Sequence, residues 1–434
     1  MPAIAAPVYP LSRDAFWKAL HCGHGRAQIQ ADRYGVAEFR DEILQACSTS
    51  LVWDPQAEGQ RAAWLAKLCE SSDLVGDIIA ASPSGSFWDR ELRCQLLLEF
   101  ALKGYARARE GLYDACERAD DGNVHACDEI IQLDGSQGLA FVARTYGELL
   151  EADPEFWVDD EGLQVYDHLH GEGEGRQLLD RLADGDDAIK YYLQNVDRTL
   201  EGRHDNYAPP RRTIENVILA ILSADELLFW PRGWARHARP EDMQRILDLA
   251  LSDSEPVVIG NALQCLSGAS QTSFHSDLFA LLNHPDTHVR YWCARVLAEH
   301  VHPDVRAAGL EVLSFDVVAG LELLRANALA QDGPAMVRAI RPEADPDDQH
   351  AVVYSLTKLL RDSPVREPDL ALYMYEYSPC MNCRWRAINA LVAWGACPSW
   401  VLNEGLYDGS NEIAATCAAA SESPSGAPEA DATG

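Results

Sequence analysis

The fold is decided by residues 289–297, which read Val289-Arg290-Tyr291-Trp292-Cys293-Ala294-Arg295-Val296-Leu297. Counted from Val289, apolar residues stand at positions i, i+3, i+4, i+7 and i+8, which is the spacing of one face of an α-helix. Similar stripes start near Val258, Leu321, Val352, Cys383 and, more weakly, Ala414. The steps between successive stripes are 31, 32, 31, 31 and 31 residues. A fixed period in this range predicts an array of helical repeats, an all-α fold of the α-solenoid type.

Each repeat is predicted to contain two helices. In the clearest unit, Ser276–His284 forms a short first helix, Pro285 and Asp286 make the turn, and Thr287–His300 forms the second helix. Pro303 then ends the unit, because proline cannot continue a helix interior. The same plan predicts the helix pairs Met243–Leu251 with Val258–Leu266, Val305–Leu313 with Leu321–Leu329, Pro368–Tyr377 with Cys383–Trp394, and Trp400–Tyr407 with Ile413–Ala420.

The segment His284–Leu297 resembles the HEAT repeat, in its short class of about 30 residues. That family places a turn with Asp and Pro before a Val-Arg pair and a stripe of Ala and Leu. The resemblance covers roughly residues 240–420 and implies a right-handed α-solenoid of antiparallel helix pairs. It also implies that Asp286 and Arg290 are structural and bridge one repeat to the next. Arg384 inherits only the basic half of this role, since Cys380 stands where the acid is expected.

The N-terminal half carries the same period less clearly. Stripes near Trp64 and Leu92 and another near Ala126 predict further helices, as do the segments Ser12–Leu20, Val36–Cys47 and Arg61–Glu70. The repeat phase resets in the middle of the chain, where Glu201–Arg212, with two prolines, is predicted to be a loop. We therefore predict four segments: a helical region with degenerate repeats at 1–200, a junction at 201–240, the HEAT-like array at 241–420 and a disordered tail at 421–434.

The charge balance is strongly acidic. The chain has 36 Lys and Arg against 68 Asp and Glu, a formal net charge of −32. Such a field repels nucleic-acid phosphates and anionic membranes, so neither is expected as a partner. A protein with a basic surface would be attracted, although solubility alone also accounts for the charge.

The location is expected to be the cytoplasm. The first residues have no basic and apolar signal-peptide pattern, and no stretch reaches 18 consecutive apolar residues. Of the 12 cysteines, several lie on predicted buried stripes, namely Cys69, Cys127, Cys265 and Cys293. Cysteines in such positions behave as small core residues in a reducing compartment.

An aromatic and basic segment, Phe229–Arg239, is the first candidate binding site. Its candidate binding residues are Trp230, Arg232, Trp234 and Arg236. Interleaved Trp and Arg favour an anionic or aromatic partner, through cation–π and stacking contacts. The alternative is that both tryptophans only pack where the repeat phase resets.

An acidic tract, Glu148–Asp187, is the second candidate, with 14 acids and only Arg176 and Arg181 as bases. The residues expected to contact a basic partner are Asp159, Asp160, Asp184, Asp186 and Asp187. The tract does not match a calcium-loop pattern. A solvated face is the alternative interpretation.

The pair Cys380 and Cys383 forms a CxxC motif at the start of a predicted second helix. A single CxxC supplies two zinc ligands where a structural site needs four, and the nearest additions would be Cys397 or a histidine from another repeat. Core packing, metal binding and redox chemistry are the alternatives, and the pattern favours core packing, with no metal and no cofactor. A second cluster, His21–Arg26, contains two imidazoles and a thiol that could bind a metal or an anion, but its glycines favour a helix end followed by a glycine turn.

The sequence contains no P-loop, nucleotide-binding glycine motif, nucleophile elbow or kinase motif set. The leading hypothesis is therefore a cytoplasmic HEAT-repeat scaffold or adaptor that binds a basic protein. One alternative is an inhibitor or immunity-type protein that caps a basic partner such as a nuclease. Another is an enzyme or lyase-type chaperone, because short repeats of this kind resemble those of phycobilin lyases.

Overall fold

The structure is a computed structural model that describes residues 4–81, 85–118, 123–205, 212–268 and 274–422, without the side chains of 202–205. Within these ranges all regular secondary structure is helical and there is no strand. The chain divides into two compact units. The N-terminal unit is Pro7–Ala208 together with Glu404–Ala414, and the repeat unit is Pro209–Asn403 with the remaining terminal residues.

The N-terminal unit contains helices α1 (Arg13–Cys22), α2 (Arg26–Tyr34), α3 (Arg40–Ser48), α4 (Pro55–Glu58), α5 (Ala62–Ser71), α6 (Val75–Ala80), α7 (Phe87–Leu102), α8 (Ala106–Arg118), α9 (Cys127–Asp134), α10 (Ser136–Ala152), α11 (Glu161–His170), α12 (Glu174–Ala183) and α13 (Asp187–Asp205). A 3₁₀ turn, Ala37–Phe39, precedes α3. One hydrophobic core extends through this unit from Leu11 to Val196.

The repeat unit contains helices α14 (Ile214–Leu222), α15 (Pro231–Ala235), α16 (Pro240–Ser252), α17 (Pro256–Gly268), α18 (Thr287–Leu297), α19 (Pro303–Val312), α20 (Val317–Leu324), α21 (Gly333–Ala339), α22 (Pro346–Asp362), α23 (Pro368–Tyr377) and α24 (Met381–Ala393). Helices α25 (Ser399–Gly405) and α26 (Asn411–Glu422) each include residues of both units. Two 3₁₀ segments, Ser276–Asn283 and Ala330–Asp332, complete the array.

Helix α18 begins at Thr287, as its sequence predicts, but it ends at Leu297 rather than at His300. The Asp286 carboxylate accepts hydrogen bonds from the backbone N–H groups of His288 (2.8 Å) and Val289 (3.1 Å), so it caps the first turn. The apolar stripe that starts at Val289 is buried, including Cys293 and Leu297. Helices α16, α17, α19, α22 and α23 each begin with a proline, which has no backbone N–H to leave unsatisfied.

Helices of the repeat unit pack neighbour to neighbour along the chain. Helix α17 packs on α18, α18 on α20, α20 on α22 and α22 on α24. Within repeats, α16 packs on α17, α19 on α20 and α23 on α24. Each helix that carries a predicted stripe therefore contacts the equivalent helix of the next repeat, as expected when the apolar face of one unit is buried by its neighbour.

An arginine links successive repeats. Arg290 of α18 donates from Nε to Asp316 Oδ2 at 2.7 Å, and Asp316 also caps α20 by accepting from the N–H of Ala319 at 3.0 Å. Arg306 contacts Asp332, which lies the same 26 residues further on. Arg384, the third expected structural residue, is fully buried near the start of α24.

The segment Glu404–Ala414 belongs to the N-terminal unit. Gly409 N–H donates to the carbonyl of Gly23 at 2.8 Å, and the indole N–H of Trp64 donates to the carbonyl of Tyr407 at 2.9 Å. Gly23 has φ 74° and ends α1, which confirms the helix end and glycine turn predicted from His21–Arg26. The turn therefore caps α1 and also accepts a hydrogen bond from the distant segment Glu404–Ala414.

Several predicted boundaries are wrong. The loop expected at Glu201–Arg212 starts too early, since α13 continues to Asp205, and residues 206–211 lie outside the described part of the chain. The helix expected at Leu321–Leu329 ends at Leu324, and Ser276–Asn283 is a 3₁₀ rather than an α-helix. Of the predicted tail, Ser421 and Glu422 end α26, and 423–434 are not described.

Three of the four cysteines expected in the core are buried, whereas Cys127 is half-buried because it lies at the first position of α9.

None of the described helices is long and apolar enough to cross a membrane.

Candidate functional site

Carboxylates from three helices converge in the N-terminal unit. Glu91 lies on α7, Asp128 lies in the first turn of α9, and Asp159, Asp160 and Glu161 stand at the start of α11. Helices α7 and α9 pack together, as do α9 and α11, which brings these acids into electrostatic range of one another. The structure therefore connects Asp159 and Asp160 with acids that lie up to 69 residues away in sequence, from Glu91 to Asp160.

The pKa values show how strongly these groups interact. Burial, followed by the charges of Glu161 and Glu91, raises the pKa of Asp128 to about 6. Burial and the charges of Asp159 and Glu91 raise the pKa of Glu161. Deeper in α9, burial and then Glu91 raise the pKa of Glu129 to about 8. Partly desolvated carboxylates that repel one another are stabilised when a cation approaches.

Exposed aromatic side chains flank these acids. Phe87 and Trp88 are exposed at the start of α7, one turn before Glu91. The Phe87 ring lies 5.3 Å from the ring of His125, whose Nδ1 is 2.7 Å from Glu91 Oε1. Trp157, two residues before Asp159, is 66% exposed. We call this arrangement the acidic surface, made of Phe87, Trp88, Glu91, Asp128, Trp157, Asp159, Asp160 and Glu161.

The other predicted acids, Asp184, Asp186 and Asp187, lie where α12 meets α13. Asp186 accepts from Arg144 Nε at 2.8 Å and from the backbone N–H of Ile189 at 3.2 Å, so it joins two helices and caps α13. None of the three is among the charges that act on Asp128, Glu129 or Glu161. The acidic tract therefore separates into two groups in space.

The two tryptophans of the aromatic and basic segment hold one arginine. The guanidinium of Arg212 lies 4.2 Å from the ring centroid of Trp230, and the indole N–H of Trp234 donates to the carbonyl of Arg212 at 2.9 Å. Both rings also pack against the core of the repeat unit. Arg236 is exposed at the end of α15. These contacts support a packing role for Trp230 and Trp234.

Arg232 points instead to the next repeat. Its guanidinium lies 5.9 Å from the ring centroid of Trp292, and that of Arg295 lies 5.3 Å from the same ring. Arg295 also donates to the hydroxyl of Tyr291 at 3.1 Å. Among the described residues, the buried Nε of Arg232 has no hydrogen-bond partner. Burial, and then the charge of Arg295, lowers the pKa of Arg232.

The same face continues onto α20 and α22. Lys358 lies 4.9 Å from the ring centroid of Tyr354 and forms an ion pair with the buried Glu322. The Lys358 charge also interacts with Arg295. We call this set, Arg232, Tyr291, Trp292, Arg295, Tyr354 and Lys358, the basic face. Lys358 is buried and paired with Glu322, so the half-buried Arg232 and Arg295 supply the accessible positive charge of this face.

The CxxC motif lies beside a histidine. Cys380 caps α24, Cys383 is in its first turn, and His350 comes from α22 of the preceding repeat. One ligand atom of each residue lies within 4.8 Å of those of the other two. Cys397, the other candidate ligand expected from the sequence, is not part of this group.

Several residues of the acidic surface, the basic face and the cysteine–histidine group were not predicted from the sequence, although the sequence contained signals for some of them. Tyr354 and Lys358 are four residues apart on the helix of the Val352 stripe, and therefore share a face. His350 precedes the Val352 stripe by two residues, and Cys383 begins the next stripe, one repeat later. Glu91 and Asp128 carried no such signal, because their proximity depends on how α7, α9 and α11 pack.

No protein-family model, curated protein or solved structure matches this chain.

Proposed function

We propose that this protein is a HEAT-like interaction scaffold, a right-handed α-solenoid of antiparallel helix pairs over residues 241–420. The order in which α17, α18, α20, α22 and α24 pack supports the array. The arginine links from Arg290 to Asp316 and from Arg306 to Asp332 support the HEAT-like assignment, because each connects one repeat to the next over a span of 26 residues. Arrays of this kind offer extended surfaces for protein partners.

The proposed partner is a protein with an exposed basic segment, and the acidic surface is its proposed binding site. The observation that carries this proposal is the convergence of partly buried carboxylates from α7, α9 and α11, where burial and then the charges of neighbouring carboxylates raise the pKa values of Asp128 and Glu161. A lysine or arginine side chain would relieve that repulsion. Exposed Trp88 and Trp157 add rings against which a cation can stack.

A labelled lysine-rich peptide tests the site directly. The triple variant Asp159→Asn, Asp160→Asn and Glu161→Gln removes three charges from the acidic surface while keeping side chains of similar shape. We expect it to weaken peptide binding by about tenfold at low salt, because close charge pairs contribute more than distant ones. Fluorescence anisotropy at low and high ionic strength measures the affinity.

The matched control is Glu172→Gln, Asp184→Asn and Asp187→Asn, which removes three exposed charges from the same tract. We expect this control to weaken binding by about twofold or less, since charges more than a Debye length from the peptide are screened. Equal losses in the two triple variants would show that only the general acidity of the chain attracts the peptide, and would overturn the assignment of the site.

The inhibitor hypothesis would use the same surface but requires one tight partner. Affinity capture at low and high salt, followed by mass spectrometry, separates the two forms of the proposal. A single basic enzyme captured in equimolar amount, and inhibited by the protein, supports the inhibitor form. Several basic proteins released by salt support the scaffold form.

A second candidate function is the binding of an aromatic anion at the basic face, which would fit the lyase-type chaperone hypothesis. The specific observation is that the guanidinium groups of Arg232 and Arg295 lie 5.9 Å and 5.3 Å from the centroid of the same Trp292 ring. Biliverdin, a planar dicarboxylate, is a suitable probe. We expect Arg295→Gln to weaken biliverdin binding, whereas Arg338→Gln, at an exposed position, should leave it unchanged. Equal affinities of the two variants for biliverdin would exclude this candidate function.

A further inference from the structure

The strongest unassigned feature of the repeat unit is the group formed by His350, Cys380 and Cys383. Their potential ligand atoms all lie within 4.8 Å of one another. The residues come from two consecutive repeats, α22 and α24, which pack against each other. Packing alone would not require two sulfur atoms and an imidazole nitrogen to converge in this way.

The distances suit a tetrahedral metal site. Cys383 Sγ and His350 Nε2 are 3.9 Å apart. For zinc bonds of about 2.3 Å to sulfur and about 2.0 Å to nitrogen, tetrahedral angles place these two ligand atoms about 3.5 Å apart. A displacement of about 0.4 Å would bring this pair to the spacing of a bound site, and the other ligand atoms of the group lie within 4.8 Å.

The backbone around Cys380 already holds it in place. The N–H of Cys383 points to Cys380 Sγ at 3.4 Å, and the N–H of Cys380 donates to Ser378 Oγ at 3.1 Å. A sulfur at a helix N-terminus lies at the positive end of the helix dipole, which stabilises a thiolate. This conformation orients both cysteines before any metal arrives.

The histidine is held from the side of α22. The ring of His350 stacks on that of Tyr354, with centroids 5.9 Å apart. Cys380 and Cys383 are only 6% and 4% exposed, whereas His350 is half-buried. A metal ion would therefore enter beside His350, next to the Tyr354 end of the basic face.

We propose that Cys380, Cys383 and His350 bind one Zn²⁺ ion, and that the fourth coordination position is taken by an exogenous ligand. Thiolate and imidazole ligands together select zinc over calcium and magnesium. Three protein ligands with an open position are typical of reactive zinc sites, whereas structural sites have four. On binding, the two thiols lose their protons to the solvent, and the neutral imidazole coordinates through nitrogen. This inference does not depend on the proposed function.

The test uses the full chain, reduced and stripped of metal. Zn²⁺ is titrated in competition with a chromophoric chelator, and Co²⁺ is added separately to detect thiolate-to-cobalt absorption. We expect one Zn²⁺ per chain and a thiolate-to-cobalt band. Cys380→Ser, Cys383→Ser and His350→Ala should each weaken zinc binding by more than about tenfold, since even outer contacts of a metal ligand have effects of this size.

Two control variants keep the same residue types elsewhere in the repeat unit. Cys397→Ser removes a half-buried thiol and His288→Ala an exposed imidazole. Both should bind zinc as the unaltered protein does. Loss of binding in Cys397→Ser equal to that in Cys383→Ser would overturn the proposed ligand set, as would unchanged binding in all three ligand variants.

X-ray absorption of the unaltered zinc complex keeps the test valid if a cysteine variant fails to fold. Two sulfur neighbours at about 2.3 Å and at least one nitrogen at about 2.0 Å would support the site. A spectrum without sulfur neighbours, or no stoichiometric zinc binding by the reduced chain, would overturn it. If the reduced chain binds no zinc and an added oxidant takes two electrons from the two thiols to form a Cys380–Cys383 disulfide, the zinc site is overturned in favour of redox chemistry.

Discussion

Arg26 and Glu404 form a buried ion pair although 378 residues separate them in sequence. Arg26 Nε lies 2.9 Å from Glu404 Oε1, and both side chains are almost completely buried. His24 Nδ1 lies 3.9 Å from the same oxygen. The pair attaches the segment Glu404–Ala414 to the glycine turn between α1 and α2, within the N-terminal unit.

Removing Arg26 should destabilise the N-terminal unit strongly. Arg26→Met leaves the Glu404 carboxylate buried without its guanidinium partner, which costs about 3–5 kcal/mol in comparable cases. Urea unfolding followed by circular dichroism measures the loss. Arg118→Met, which breaks an exposed pair with Asp114, should cost less than about 1 kcal/mol. If adding Glu404→Leu to Arg26→Met recovers no stability, the unpaired carboxylate is not the cause.

A methyl group at Gly25 should be poorly tolerated. A Cβ built there would lie 2.0 Å from the carbonyl oxygen of Glu404, a backbone atom that cannot rotate away. We expect Gly25→Ala to destabilise the unit by about 2 kcal/mol or more, the range of overpacked sites. Gly76→Ala is the control, because its Cβ would meet no atom within 4 Å and alanine favours the helix. Equal melting temperatures for the two variants would contradict this contact.

The link between Arg290 and Asp316 should couple adjacent repeats. Both side chains are largely buried at a distance of 2.7 Å. A double-mutant cycle with Arg290→Ala and Asp316→Asn should give a coupling energy of about 1–3 kcal/mol. The exposed pair of Arg245 and Glu215, at 2.8 Å, should give a coupling near zero. Similar coupling energies in both cycles would show that burial does not make the Arg290–Asp316 pair stronger than the exposed pair.

Glu129 should make the N-terminal unit less stable as the pH rises. Its pKa is raised from 4.5 to about 8, because burial and then Glu91 disfavour the charged form. Between these two pH values the folded state retains a proton that the unfolded state has released, so stability is lost as the pH increases. Glu129→Gln should remove this dependence and be more stable than the unaltered protein at pH 9.

The control for the pH effect is Glu172→Gln, which alters an exposed acid of the same unit. Its stability should follow that of the unaltered protein from pH 5 to pH 9, apart from a small constant difference. Parallel curves for Glu129→Gln and the unaltered protein would show that Glu129 does not titrate in this range.

Part of each candidate site could be predicted from the sequence. The CxxC motif and the need for a histidine from another repeat were evident, but thirteen histidines were available and only packing of α22 on α24 selects His350. The acids Asp159 and Asp160 were evident from local charge density. Their separation from Asp186, which pairs with Arg144, was not, because charge density along a chain does not give distances in space.

The sequence by itself determined most of the helices of the repeat unit, although not their exact ends, since the apolar stripe from Val289 and the Asp286 cap act within one to three helical turns. The recurrence of the stripe at about 31 residues also determined how often such helices return. The sequence also determined where prolines begin helices, because the missing N–H is a local property. The tertiary structure alone decided that Glu404 pairs with Arg26 and that Glu91 lies within electrostatic range of Asp128. Such contacts join residues far apart in sequence, and their positions depend on how all the helices between them pack. A pattern of neighbouring residues does not contain that information.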